Sequence, residues 1–326
     1  MMISPSLPAE LKAALDGKLQ GFSRTDAARR SSQISSTYRA GGGSGTIKSE
    51  ADGLAYALAR MPATYAAVAA SLNALTEIVP DFAPETLLDV GAGPGTASWA
   101  AAEAFPSLQD FTLLDANGTL SRLALELARD SARLADCRYL PGDAGTNLAE
   151  VPAADIVIAS YVIGELGESD QRALTETMWA KARHALLVIE PGTPAGYARI
   201  LAQRQQLIAA GAYVAAPCPH EKPCPLTAPD WCHFSQRLPR SQAHRQIKGA
   251  EVPFEDERFI YVALTRTPPA GRASRVLAPP DVGKVEITAK LCTESGVALT
   301  KVPRRDKAAY ADARRWRWGD AVMSES

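Results

Sequence analysis

Two groups of residues in this sequence have the types and the spacing to do chemistry. The first is the run Asp89-Val90-Gly91-Ala92-Gly93-Pro94-Gly95-Thr96. Three glycines at alternate positions let the main chain turn sharply and let a ligand approach without meeting a Cβ. A helix that starts just after such a loop offers unpaired N–H groups and the positive end of its dipole. This is the chemistry of a nucleotide-binding turn. Two carboxylates extend it. Asp115 ends the next apolar segment and can accept both hydroxyls of a ribose. Asp143, in Pro141-Gly142-Asp143-Ala144, ends the one after and can meet an adenine amino group. The plainer reading is a strand-to-helix turn that only needs glycine, with the acids as surface caps.

The second group is Cys218-Pro-His-Glu-Lys-Pro-Cys224-Pro-Leu-Thr-Ala-Pro-Asp-Trp-Cys232, with Cys292 further along. Four thiolates suit a tetrahedral zinc ion or a 4Fe-4S cluster. The tight Cys-x-x-Cys knuckles of many zinc sites are missing. Proline directly follows Cys218 and Cys224, as in cluster-binding loops. His220 and His233 leave a mixed zinc site open. Cys137 reads as an apolar residue beside a strand.

The elements that must position these groups follow from hydrophobic spacing. Leu54, Leu58, Met61, Tyr65, Val68, Leu72, Leu75 and Val79 alternate by three and four, which is helical, and Pro62 predicts a kink or a fresh start. Residues 1–79 therefore read as a helical N-terminal region, with Gly41-Gly42-Gly43-Ser44-Gly45 as a flexible hinge. Strands are predicted at Thr86–Val90, Phe111–Leu114, Arg138–Leu140, Asp155–Ser160 and Ala185–Ile189. Helices are predicted at Ala97–Ala104 and Leu120–Arg129. This alternation predicts an α/β, Rossmann-like nucleotide core over 80–210, with a parallel sheet covered by helices. A helix over Tyr197–Ala210 closes it. Residues 211–258 read as loop-like. Strands follow at Arg258–Arg266 and Ser274–Ala278, then a hairpin of Lys284–Cys292 and Val297–Val302. Residues 211–326 thus form a cysteine-rich, partly β extension with a basic tail.

Composition narrows the function. Of 326 residues, 46% are hydrophobic, which suits a sizeable core rather than disorder. The net charge of -1 excludes attraction of the whole molecule to nucleic acid, so a basic surface must be local. Lys18–Lys48 holds six basic residues and one acid; Lys301–Trp318 holds seven basic and two acidic, with Tyr310, Trp316 and Trp318 among them. With Arg237, Arg240, His244, Arg245 and Lys248, these ends point to RNA. No stretch approaches the ~18 apolar residues of a membrane span, so no membrane partner is expected. The start lacks the basic head and apolar run of a secretory signal, which predicts a reducing, cytoplasmic location.

The loop order is informative in itself. The dehydrogenase fingerprint has glycine at its sixth position, where Thr96 stands here. Asp-x-Gly-x-Gly-x-Gly instead resembles the first motif of class I methyltransferases, where the loop packs against the amino-acid end of S-adenosylmethionine. An NAD enzyme is the main competitor. On this resemblance Asp89, Gly91, Gly93, Gly95, Asp115 and Asp143 are the candidate cofactor residues. No Asn/Asp-Pro-Pro-aromatic turn follows the fourth strand, which leads into Ser160-Tyr161-Val162-Ile163-Gly164-Glu165-Leu166. No thiolate stands there either. Glu165 is a candidate base or simply a cap, and no catalytic residue is assigned.

A wider resemblance rests on Glu190-Pro-Gly-Thr-Pro-Ala-Gly, Ala215-Ala-Pro-Cys-Pro-His220, Cys224-Pro-Leu and Asp230-Trp-Cys-His-Phe-Ser-Gln-Arg237. Lys248-Gly249, Glu255-Asp256-Glu257 and Trp318-Gly319-Asp320 extend it, and it begins at Arg60-Met61-Pro62-Ala63-Thr64-Tyr65. The sequence resembles the Rsm-type methyltransferase-like family, assembly factors of the mitochondrial small ribosomal subunit with bacterial relatives. The resemblance implies binding to small-subunit rRNA or an assembly intermediate. It also implies a 4Fe-4S cluster on Cys218, Cys224, Cys232 and Cys292, with a structural role. The family's mitochondrial members have eroded cofactor motifs, whereas the 89–96 loop and Asp115 are intact here. The leading expectation is a class I methyltransferase-fold protein acting on the small ribosomal subunit. The alternatives are a true rRNA methyltransferase with a defined target nucleotide, a non-catalytic assembly factor with a vestigial pocket and a zinc-bearing small-molecule methyltransferase.

Overall fold

The computed structural model describes residues 2–39 and 42–322. Three helices open the chain: α1 (Ala9–Lys18), α2 (Arg24–Arg39) and α3 (Glu50–Ile78). Of the expected glycine hinge, Gly41 lies outside the described residues. Ser44–Thr46 forms a short 3-10 turn. Helix α3 is not restarted at Pro62; it runs through it, with Leu54, Met61, Tyr65, Val68 and Leu72 buried. Packing of nearly the whole helix against the core outweighs the one main-chain bond that proline removes.

The alternating segment follows as β1 (Thr86–Val90), α4 (Thr96–Ala104), β2 (Asp110–Asp115), α5 (Gly118–Ala128), β3 (Arg138–Pro141), α6 (Ala144–Asn147), β4 (Ala154–Ser160), α7 (Glu168–Lys181), β5 (Ala182–Pro191) and α8 (Pro194–Ala209). The chain continues with β6 (Tyr213–Ala216), β7 (Phe234–Pro239), α9 (Gln242–Lys248) and β8 (Phe254–Thr265). Residues 211–258 are therefore only partly loop-like: 217–233, with Cys218, Cys224 and Cys232, is irregular, while the stretches on either side form β6, β7, α9 and the start of β8. In β7 only Phe234 and Leu238 are buried, so its pattern is too sparse to read as a strand. The remainder is β9 (Ser274–Val276), β10 (Asp281–Val282), β11 (Glu286–Thr293), β12 (Gly296–Pro303), α10 (Lys307–Ala313) and β13 (Ala321–Val322).

The main sheet runs β3-β2-β1-β4-β5-β8-β6, with β7 also on β8. Its first five strands are parallel, and β8 is antiparallel to β5, β6 and β7. Central strands read as unbroken apolar runs because helices cover both faces: Ile156, Val157, Ile158 and Ala159 of β4 have no exposed surface. Strand order reverses between β1 and β4, and ligands of such sheets sit in the crevice at the carboxyl ends there. A second, smaller sheet runs β10-β11-β9-β13 with β12 on β11. Among the described residues no helix is long and apolar enough to cross a membrane.

Candidate nucleotide site and the cysteine cavity

The glycine loop leaves β1 and is clamped onto the end of β2: Gly91 N and Ala92 N both donate to Leu114 O, at 2.8 and 3.1 Å. Gly91, Gly93 and Gly95 all have positive φ, at 67°, 53° and 80°. Each requirement differs. A Cβ on Gly91 would stand 2.4 Å from Val162 in the turn after β4, whereas one on Gly93 would meet nothing nearer than Leu120 at 3.9 Å. The open face of the loop is thus at Gly93. Gly95 is the residue before the first turn of α4.

Asp115 and Gly93 are brought together. Gly93 N donates to Asp115 Oδ2 at 2.8 Å, and Asn117 N to Oδ1 at 2.7 Å. The carboxylate is pinned at the mouth of the loop, and each oxygen keeps a lone pair for a further donor. Burial raises its pKa against these two bonds. Tyr139 Oη donates to Gly93 O at 2.6 Å and fixes the loop from the β3 side. Open space at Gly93 beside a fixed carboxylate is what a nucleoside cofactor needs, so these residues fit S-adenosylmethionine.

The other two acids are engaged elsewhere. Asp89 is fully buried and turned into α4, where its Oδ2 accepts from Ser98 N at 3.1 Å and Ser98 Oγ at 2.8 Å. Its Oδ1 has no partner among the described residues, and burial pushes its pKa up to about 7. Asp143 is exposed and caps α6 by accepting from Gly145 N at 2.9 Å.

Glu165, the candidate base, shares this sheet end with Tyr161 and Glu190, which spacing alone does not single out. Tyr161, in the turn after β4, has φ 59°, the one positive value outside glycine among the described residues. Such strain persists only where the surroundings fix it. Here Tyr161 Oη donates to Glu257 Oε1 of β8 at 2.9 Å. Glu190, at the end of β5, is completely buried and pairs with Arg199 Nε at 2.6 Å. Burial raises its pKa against that pairing. Glu165 Oε2 accepts from Ser44 N at 3.2 Å, while Asn117 Nδ2 donates to Ser44 O and Ile47 O at 2.8 and 3.1 Å. Residues 44–47 are therefore tied to both sides of the crevice.

Cys218, Cys224, Cys232 and Cys292 do meet, around one cavity that they share with Tyr197, Arg204 and Arg275. The expected iron–sulfur cluster does not stand, however, and neither does the zinc alternative. Among the described residues no group of three or more His, Cys, Asp or Glu side chains is placed to hold a metal ion. The cavity itself holds about 30 Å³, room for a water rather than a cluster. Burial raises the thiols of Cys218 and Cys232, and that of Cys292 to about 12. Tyr197 Oη donates to Cys224 Sγ at 3.2 Å. His233 packs against Trp231 and Trp318, with ring centroids at 5.1 and 4.7 Å. Cys137 is half-buried against the core, as an apolar residue.

The sheet order β3-β2-β1-β4-β5 and the glycine loop after β1 define a doubly wound α/β fold with its loop at the switch point. The family described as mitochondrial small ribosomal subunit Rsm22 matches residues 50–323, and the chain belongs to it. A human relative, "Ribosome assembly protein METTL17, mitochondrial", is 29% identical over 295 residues, covering 82% of this chain and 62% of its own. A relative from Schizosaccharomyces pombe, "Rsm22-cox11 tandem protein 2, mitochondrial", is 23% identical over 330 residues, covering 83% of this chain and 43% of its own. The chain thus spans less than two thirds of either curated relative. Similar solved structures include the magnesium protoporphyrin IX methyltransferase of Synechocystis PCC 6803 (14% identity, 64% of this chain and 84% of that one, TM-score 0.39). The precorrin-6y C5,15-methyltransferase of Geobacter metallireducens is another (14%, 61% and 87%, TM-score 0.41). The curated relatives are named as mitochondrial, which overturns the cytoplasmic expectation.

Proposed function

We propose that this chain has a class I methyltransferase core that binds S-adenosylmethionine at Gly91–Gly95 and Asp115, and that it works on the small ribosomal subunit during assembly through its rRNA. The observation that carries the cofactor half is the fixed carboxylate of Asp115 beside the open face of Gly93. Gly91 and Gly95 hold the turn. Asp89 acts through Ser98 by setting the first turn of α4, and Asp143 stands at the third strand end as an outer candidate for the adenine. The family match and the relatives' names support the ribosomal half. When bound, the cofactor supplies an electrophilic methyl group. A second reading, an assembly factor that binds cofactor without turning it over, is favoured by Tyr161, whose hydroxyl is already committed to Glu257.

Calorimetric titration of the full chain tests the cofactor half. S-adenosylmethionine binds and NAD does not. Asp115→Ala and Gly93→Leu each weaken binding by about tenfold or more, through a lost charged acceptor and an obstructed strained turn, with the melting temperature followed as control. A well-folded wild-type chain that ignores the cofactor, or binds NAD equally, removes that half. Methyl transfer to immature small subunits then separates the enzyme from the assembly factor.

A further inference from the structure

A second cavity, of about 530 Å³, opens between α3, the β7–β8 edge and the C-terminal segment. This is a volume typical of small-ligand sites. Phe234, Phe259 and Tyr261 pack together as part of its lining, with centroids 5.5 to 6.1 Å apart, and Trp316 and Trp318 also line it. Its polar groups are unusual because they are under-used. Arg275 is 2% exposed; its Nε donates to Pro217 O at 3.3 Å and its Nη1 to Gly319 O at 2.9 Å, and no carboxylate bonds it among the described residues. Trp318 Nε1 is buried with no acceptor among the described residues. Glu77, exposed on the α3 side, makes no side-chain hydrogen bond among the described residues.

Arg275 has N–H groups beyond its two bonds and Glu77 has an unused carboxylate, so a ligand with a matching acceptor and donor engages both. The ligand that fits is flat, aromatic, and carries a carbonyl and an amine on one edge. A nucleobase has this chemistry. Arg315 lies in the lining, and Arg314 and Arg317 are exposed beside it, where a phosphate backbone would pass. We propose that this cavity receives one unstacked base of single-stranded RNA, with Phe259 and Trp318 against its ring and Glu77 and Arg275 bonding its edge. The proposal rests on the reading that the chain works on rRNA, and it names the place where a splayed base is held. A duplex cannot enter, because its bases are stacked and paired.

The test uses the full chain and fluorescence anisotropy with a mixed-sequence, 12-nucleotide single-stranded RNA, the matching duplex, and free nucleoside monophosphates. Ser235→Trp plugs the cavity and Glu77→Gln removes its carboxylate charge. Single-strand affinity falls by about tenfold in the plugged variant and severalfold in the other, from the loss of one base contact. Duplex affinity and the melting temperature stay put. A 4-thiouridine-substituted strand crosslinks to Trp318 or Phe259 in the wild type. Unchanged single-strand affinity in Ser235→Trp, or crosslinks confined to other segments, overturns the base site while leaving the ribosomal reading standing. Monophosphates that bind as tightly as the strand make it a mononucleotide site and overturn it too. Failure of the wild type to bind any RNA or small subunit overturns both.

Discussion

Asp89 and Asp115 end neighbouring strands, and burial raises both, yet they serve different neighbours. Asp115 faces the open side of the loop. Asp89 faces inward, and its pKa near 7 means that it is largely protonated in the fold below neutrality. A carboxyl raised above its unfolded value of 3.8 adds stability that is complete below that value. The contribution is lost as pH rises through about 7. Asp89→Asn keeps an acceptor for Ser98 and is never charged. The variant should therefore gain on the wild type between pH 5 and pH 8, by a swing on the order of 3 kcal/mol in chemical denaturation. A wild-type to variant difference that is the same at both pH values would show that Asp89 keeps its charge. The sequence placed Asp89 in the motif but had no way to show its direction, because the same spacing serves a ligand contact or a helix anchor.

At the scale of elements, α3 does most to frame the site, since it carries Tyr56 and Arg60 towards the crevice and Glu77 towards the second cavity. Its first turn is a capping box: Ser49 Oγ accepts from Asp52 N at 3.2 Å and Asp52 Oδ2 accepts from Ser49 N at 3.0 Å. Arg30 of α2 bonds the same carboxylate at 2.6 Å, so the cap also docks α2. Ser49→Ala should cost about 1 kcal/mol of unfolding free energy, and an unchanged denaturation midpoint would show that Asp52 and Arg30 hold the turn alone. The parallel strands were legible because each is a short, apolar run between turn residues; β1 is bounded as expected, at Thr86–Val90. Helix α7 was not, since its buried residues are only Leu174, Thr175, Met178 and Trp179 in an otherwise polar segment. Strands β6 and β7 were hidden for a related reason: they are short, and they are strands only because β8 pairs with both. The cysteine motif was legible as a meeting point and misleading as chemistry, because spacing does not report how much room the thiols leave.

Across the whole molecule, charge decides where a polyanion is met. With a net charge of -1, long-range attraction is weak, so affinity must come from local phosphate contacts. The two basic ends are not equivalent. In the N-terminal one, Lys18 pairs with Glu126, Arg29 with Asp26, and Arg30 with Asp26 and Asp52, so much of its charge is used inside the fold. In the C-terminal one, Arg304, Arg305, Arg314 and Arg317 are exposed, and of the arginines there only Arg315 has a carboxylate partner, Asp312, among the described residues. Trp316 and Trp318 are partly buried against both sheets and hold this segment down. Replacing Arg304, Arg305, Arg314 and Arg317 by alanine should leave the melting temperature within a degree or two, since exposed charges contribute little, roughly 0–1 kcal/mol each at most. It should also weaken binding to small-subunit rRNA and flatten the dependence of log affinity on log salt, by about 0.7 for each phosphate contact removed from a single strand. Plugging the base cavity has the opposite signature, a loss of affinity at constant slope, because a base contact releases no counterions. Trp316→Ala differs again and lowers the melting temperature first, by opening the packing beneath α10. If the four-arginine variant keeps both affinity and slope, the phosphates run over another face, and the remaining candidates are Arg240, Arg245 and Lys248 around α9. Of these, Arg240 and Lys248 are already paired with Glu255.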